Sequence, residues 1–173
     1  MRMTSNLGDT TVNQPVPKDT YMVHFAEMQR KQSKDTKAPM REFVVVIEDG
    51  EFQNRKVPYY TVMMGGLTRD GNPMPLFGLV EFITATGIPW SCMECGSGDR
   101  VAEFVLGTGP DLEKGENGLE RGKYHCPDCR KPCRIDVDDD FMNGARCKAD
   151  ITVETPEGRD RPVNRVKRLY KIA

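Results

Sequence analysis

Two pairs of cysteines are the residues of this chain whose types and spacing point most directly to chemistry. Two residues separate Cys92 from Cys95 and Cys126 from Cys129, and about thirty residues lie between the pairs. Each Cys-x-x-Cys turn can present two thiolates, and two such turns complete a tetrahedral zinc site. A site whose four positions are all filled by protein is structural rather than catalytic. The spacing therefore predicts a structural Zn²⁺ ion in a zinc-ribbon-like module.

The neighbouring residues leave alternatives for the ligand set. Cys133 follows Cys129 by four positions, so these two are an alternative second pair that would leave out Cys126. We favour Cys126, because two intervening residues suit a tight metal-binding turn. His125 is adjacent and is a weaker candidate ligand. Cys147 belongs to a segment of alternating polarity, which predicts a small buried apolar side chain there.

Catalytic chemistry finds little support in this sequence, and we predict that the protein is not an enzyme. The chain has two histidines and carries no glycine-rich phosphate loop, no nucleophile elbow and no His-Glu-x-x-His motif. The run Asp138–Asp140 is more typical of a turn than of a metal site. The N-terminus lacks the apolar region of a signal peptide and no apolar run has the length of a membrane span, so a reducing cytoplasmic setting is expected for the thiols.

The charges are distributed unevenly along the chain. The formal net charge is −1, so bulk charge gives no argument for a nucleic-acid partner. However, five basic residues and one acidic residue lie from Arg30 to Arg41, and six basic residues and one acidic residue lie from Arg159 to Lys171. Seven acidic residues and two basic ones lie between Glu94 and Glu120. Two basic stretches thus bracket an acidic middle.

The elements that must position these residues are predicted to be mostly strands. Alternating apolar residues predict three strands, then helical spacing predicts a helix that ends at Gly87, and two alternating strands follow the cysteines. Pro58 indicates an edge or a bulge in the third strand. This is the order of a five-stranded OB-fold barrel with one helix between strands 3 and 4. The predicted parts are a flexible arm (1–18), an OB-fold domain (19–89 and 136–173) and a zinc-binding insert (90–135).

Several short motifs resemble a group of bacteriophage OB-fold single-stranded DNA-binding proteins. The similar segments include P-K-D-T-Y-M-V, the strand from Arg41 that runs into D-G, a G-x-x-x-x-R-K-V turn (Gly50 to Val57), the A-T-G helix end, G-x-x-C-x-A-x-I (Gly144 to Ile151) and N-R-V (Asn164 to Val166). The resemblance implies sequence-nonspecific binding of single-stranded DNA in phage replication, recombination or repair, in the cytoplasm of an infected bacterial cell. The chain departs from the group in its cysteine insert and in ending in L-Y-K-I-A instead of an acidic tail, which puts recruitment of replication or recombination proteins through the C-terminus in question.

Binding to single strands needs cations for the phosphates and aromatic rings for the bases. The basic stretch 30–41 and the turn 154–162 occupy the two loop positions that flank an OB groove. Tyr60 is the first candidate for stacking, before Tyr59 and Trp90, although Trp90 also suits packing of the cysteine turn. The complete set of candidate nucleic-acid contacts is Lys34, Lys37, Arg41, Arg55, Lys56, Tyr59, Tyr60, Arg146, Lys148, Arg165 and Lys167.

A protein-interaction module is the alternative function. In that case the zinc ribbon, with its acidic insert, would recruit or inhibit a partner protein without binding DNA. The position of the cations distinguishes the two functions, because DNA binding requires them on one groove and a scaffold leaves them scattered. The sequence leaves the oligomeric state open.

Overall fold

The computed structural model describes residues 1–4, 14–96, 100–101, 104–107, 119–120 and 122–172. Within this part of the chain the structure is mainly β, with a single α-helix, and the predicted fold class is confirmed at that level. The elements in chain order are β1 (Asp19–Gln32), β2 (Pro39–Ile47), β3 (Lys56–Met63), α1 (Phe77–Thr86), β4 (Pro89–Cys92), β5 (Arg100–Val101), β6 (Val105–Leu106), β7 (Tyr124–His125), β8 (Ile135–Asp136), a 3₁₀ turn (Asp139–Phe141), β9 (Arg146–Glu154) and β10 (Val163–Tyr170).

Five of the strands form one curled antiparallel sheet in the order β10-β9-β1-β2-β3. The sheet is a half-barrel, because β3 and β10 are its two edges and no backbone ladder joins them among the described residues. Cα atoms of the two edge strands nevertheless come within 8 Å of each other. The closed barrel that the sequence predicted is therefore not established, whereas the strand count and the position of the helix are.

Three bulges bend the sheet, because an extra residue in one strand increases its local twist. In β1 the register shifts between Ala26 and Gln29, where Glu27 has a φ of +54°. In β3 the shift falls at Pro58 and Tyr59, as the proline indicated. Val57 is buried before that bulge and Val62 after it, so the bulge interrupts the regular alternation of buried and exposed residues along β3.

The core lies between the concave face of the sheet and α1. The rings of Phe25, Phe43 and Phe82 are buried there, with centroids 4.6–5.6 Å apart. Helix α1 packs against β3, β9 and β10. It ends as predicted at Gly87, whose φ of +69° lets its N–H bond to the Ile83 carbonyl.

The cysteine insert is joined to this core. Strand β4 pairs with β5 and β8, and β6 pairs with β7. Trp90, Cys92 and Cys126 are buried in the same cluster as the apolar side chains of the sheet. The structure therefore gives the insert and the sheet a shared hydrophobic core.

The end of the predicted N-terminal arm (1–18) is packed against the sheet. Val16 is only 1% exposed and belongs to the core cluster. Half of the predicted arm, residues 5–13, lies outside the described residues. Over the part of the chain that the structure covers, no helix is both long and apolar enough to span a membrane.

Candidate metal centre and basic groove

The four cysteines favoured from their spacing converge at one point. The sulfur atoms of Cys92, Cys95, Cys126 and Cys129 all lie within 4.8 Å of one another. The Sγ atoms of Cys92 and Cys129 are 3.8 Å apart, and those of Cys95 and Cys126 are 3.9 Å apart. Four sulfurs on a tetrahedron with metal–sulfur bonds of about 2.3 Å are separated by about 3.8 Å. The cluster therefore fits a tetrahedral metal ion, and such a thiolate set suits Zn²⁺ or iron.

The two cysteine turns share one backbone geometry, which explains why both present their sulfurs to the same point. The Gly96 N–H bonds to the Cys92 carbonyl at 2.9 Å, and the Arg130 N–H bonds to the Cys126 carbonyl at 2.9 Å. The donor residue has a left-handed backbone in both turns, with φ of +73° at Gly96 and +57° at Arg130. Glycine adopts this conformation readily, whereas arginine is strained in it. A closed metal site is one reason for a fold to retain such strain.

The alternative ligands lie beside the cluster and not in it. Cys133 is outside the set of mutually close sulfurs, and burial raises the pKa of its thiol to about 12. His125 is 1% exposed, and its ring is bound on both sides: Nε2 accepts a hydrogen bond from the Glu120 N–H at 3.2 Å, and Nδ1 lies 3.3 Å from the Val105 carbonyl oxygen. His125 thus connects strand β7 to the backbone of Glu120 and to Val105 of β6. Cys147 is fully buried in the sheet core, as expected, and burial raises its pKa to about 12.

A groove of about 880 Å³ lies between the two edge strands β3 and β10. Five of the predicted nucleic-acid residues line it: Arg55, Lys56, Tyr59, Tyr60 and Arg165. Arg159, in the turn between β9 and β10, adds a fourth cation, and none of the described residues that line the groove is acidic. Four proline rings complete much of its wall (Pro15, Pro58, Pro156 and Pro162). The groove is therefore basic, rigid and partly apolar.

The two tyrosines of the groove differ in their availability for stacking. Tyr59 is 76% exposed, and its backbone at the β3 bulge has a φ of +67°, which is strained for an aromatic residue. Tyr60 is half-buried with its ring centroid 5.3 Å from that of Phe25, and burial, followed by the charge of Glu81, raises its pKa. The structure thus favours Tyr59 over Tyr60 as a stacking surface. Trp90 is buried and stacks on Phe104 at 4.6 Å.

Half of the predicted cations outside the groove are paired with carboxylates. Arg146 forms a bidentate pair with Glu48 at 2.7–3.1 Å, and this pair lowers the pKa of Glu48. Lys167 lies 2.5 Å from Glu154, which also contacts Arg165 at 3.3 Å. Lys34 and Lys37 are exposed in the turn between β1 and β2, and Lys148 is half-buried on the outer face of β9. The structure does not bring these six residues together: Lys34, Lys37, Arg41, Arg146, Lys148 and Lys167.

The aspartate run has a structural partner. Asp139 accepts from Arg30 Nε at 2.7 Å and from Arg41 Nε at 2.8 Å, and hydrogen bonding by Arg30 lowers its pKa to about 2. Arg30 also contacts Asp140 at 3.1 Å. These pairs hold the 3₁₀ turn against the β1–β2 hairpin, so Asp139 and Asp140 are engaged in ion pairs and Arg41 is bound to Asp139.

The sequence did not lead to several contributors to the groove, among them Arg159, Gln14 and Pro15. Arg159 lies in the basic stretch 159–171 and in the turn 154–162, and both features indicate a phosphate contact, but it is not among the predicted contacts. Gln14 and Pro15 belong to the segment assigned to a flexible arm, yet they line the groove. The burial of Val16 and its hydrogen bonds with Asn164 hold them there, and no local sequence pattern indicates either.

No protein-family model matches this chain, and no curated protein matches it either. The functional conclusions below therefore rest on the residues and geometry described above.

Proposed function

We propose that the protein binds single-stranded DNA without sequence specificity, through the basic groove between β3 and β10. The proposal includes an OB-type fold for the half-barrel, a structural Zn²⁺ ion in the cysteine cluster, and a role in phage DNA replication, recombination or repair. The bound strand would place its phosphates on the groove cations and its bases on Tyr59 and the proline rings.

The observation that carries the proposal is the convergence of four cations on one groove. Arg55, Lys56, Arg159 and Arg165 line it with no acidic residue among the described lining residues, although Lys56 and Arg165 have carboxylate neighbours, Glu27 and Glu154, at 3.8 and 3.3 Å. A polyanion gains most from cations that lie close together. Sequence-neutral stacking also requires an accessible ring, and Tyr59 supplies one at the rim of the same groove.

Strand order and the helix support the OB-type fold. The order β10-β9-β1-β2-β3 is the sheet of a five-stranded OB barrel opened between its third and fifth strands, and α1 lies between the third and fourth strands in sequence. OB-folds bind oligonucleotides on the face around strands 2 and 3 and on the flanking loops. Strand β3 and the turn 155–162 line the groove, as that face and the loop between strands 4 and 5 would, whereas β2 and the loop between β1 and β2 do not line it.

Fluorescence anisotropy with labelled oligo-dT and a matched duplex, repeated over a salt series, tests this function. We expect binding to the single strand that weakens with salt, and much weaker binding to the duplex. Equal affinity for both would indicate a nonspecific surface instead of a groove. The absence of binding to either at low salt would refute the proposal and would favour docking of a partner protein through the metal-binding insert.

A further inference from the structure

The segment Gln14–Pro17 crosses the rim of the groove and is fixed there by one side chain of β10. The Val16 N–H donates to Asn164 Oδ1 at 2.9 Å, and Asn164 Nδ2 donates to the Val16 carbonyl at 2.9 Å. The same Nδ2 also donates to the Thr152 carbonyl at 3.2 Å. With Val16 buried in the core, this two-way clamp gives the segment a defined position.

Next to β3, the edge strand opposite β10, the same segment accepts a hydrogen bond from one of the groove cations, Arg55. The guanidinium of Arg55, which directly precedes β3, donates from Nη2 to the Gln14 carbonyl. Only Pro15 separates this carbonyl from the clamped Val16. Proline fixes its own φ and keeps the preceding residue extended, so the connection is stiff. The orientation of Arg55 is therefore linked to the clamp at Asn164.

The contact leaves Arg55 ready for an anion. Its partner is a neutral carbonyl and no carboxylate among the described residues pairs with it, in contrast to Arg165, which contacts Glu154 at 3.3 Å. A guanidinium has five N–H donors, and the contact with Gln14 uses one of its nitrogens. Holding a long side chain before binding removes part of the entropy that binding would otherwise cost.

We infer that Asn164 is a positioning residue of the groove: by clamping Val16 it sets the Gln14 carbonyl, which orients Arg55 toward the phosphate of a bound strand. This inference rests on the proposed function. It gives the segment 14–17 a role in ligand binding and distinguishes Asn164 from residues that contact the ligand directly.

A double-mutant cycle with labelled oligo-dT at fixed salt tests the inference in the full chain. Asn164→Ala should weaken binding roughly two- to tenfold, the cost of ordering one long side chain. In an Arg55→Gln background the same substitution should have no further effect. Lys56→Gln is the matched control, because Lys56 lines the groove without contacting the segment, so its effect and that of Asn164→Ala should multiply.

The salt dependence gives a second readout. Asn164→Ala removes no charge, so the slope of log K against log[salt] should stay unchanged, whereas Arg55→Gln should reduce its magnitude by about 0.7. Thermal unfolding of each variant checks the fold. Asn164→Leu, which keeps the side chain neutral and close to its original volume while losing both hydrogen bonds to Val16, replaces the alanine variant in the same cycle if that variant is unfolded.

Two results would overturn the positioning role. Tighter binding by Asn164→Ala would show that the segment obstructs the groove, and a loss that persists in Arg55→Gln would show that the clamp acts through the fold alone. Failure of the wild-type protein to bind oligo-dT would refute the proposed function itself, so the two failures are distinguishable.

Discussion

Removal of one groove cation should change the salt dependence of single-strand binding by a defined amount. The perturbation is Arg159→Gln. Arg159 lies in the turn between β9 and β10, its side chain is exposed, and it lines the groove with Arg55, Lys56 and Arg165. Because the residue is outside the strands and the core, we expect its substitution to leave the fold intact.

The magnitude follows from counterion release. Each phosphate neutralised on a single strand contributes about −0.7 to the slope of log K against log[salt], so four groove cations give about −2.8 and the variant about −2.1. Between about 50 mM and about 200 mM salt, wild-type affinity should therefore fall about 50-fold and variant affinity about 18-fold. Arg165 and Lys56 have carboxylate neighbours at 3.3 and 3.8 Å, so four is the upper limit for the phosphates neutralised.

Anisotropy titrations of oligo-dT at five salt concentrations measure both slopes. Lys34→Gln is the matched control, since Lys34 is equally exposed but lies in the turn between β1 and β2, at the other end of the hairpin from the groove. Its slope should equal that of the wild type. If Lys34→Gln lowers the slope as much as Arg159→Gln does, the strand is bound over the whole surface and the assignment to the groove is wrong.

Three further predictions concern stacking, metal and acid stability. Tyr59→Ala should cost about 1–3 kcal/mol of single-strand affinity, measured by anisotropy, whereas Tyr59→Phe should retain it because the ring face is kept. Cys126→Ser should lose the bound metal and lower the midpoint of thermal unfolding, whereas elemental analysis of Cys133→Ser should still find one metal ion per chain. Loss of the metal from both variants would show that Cys133 is also a ligand. Asp139, with a pKa lowered to about 2, contributes stability that is present above its ordinary pKa of 3.8 and is lost as the pH falls toward 2. Asp139→Asn should therefore destabilise the protein by about 1–2 kcal/mol at pH 7 in urea unfolding, and a penalty that does not shrink below about pH 4 would exclude the pairing with Arg30 as its source.

Local patterns were sufficient to predict the four-cysteine cluster and the five strands of the main sheet. The Cys-x-x-Cys spacing predicted the cluster because one local turn positions both cysteines of each pair. Only one long-range contact, between the two turns, is then needed to complete the cluster. Strand β9 could also be predicted from the sequence, since Cys147, Ala149 and Ile151 alternate with polar residues, and all three are buried in the structure. The end of α1 at Gly87 follows from the left-handed cap that glycine favours.

The groove could not be predicted in full, because it depends on contacts distant in sequence. Arg41 and Arg146 are good candidates for phosphate binding by type and strand position, yet each is neutralised by a carboxylate 98 residues away. A charge pattern identifies cations but not their partners. Tyr60 was predicted as the first stacking residue, but the bulge at Pro58 and Tyr59 shifts the alternation of side chains along β3. As a result the side chain of Tyr59 is exposed and that of Tyr60 is half-buried.

The open edges of the half-barrel favour a polyanion over an extended peptide as the occupant of the groove. Unpaired edge strands readily add another strand, and proteins prevent this with prolines, bulges and charged residues. The edge of β3 carries all three, in Pro58, the bulge at Tyr59 and Lys56. A peptide that paired with β3 would meet a missing N–H and a broken register. A nucleic-acid strand needs no backbone ladder, because cations and ring faces suffice for its binding. The features that block strand addition are therefore the same ones that would hold a single strand of DNA.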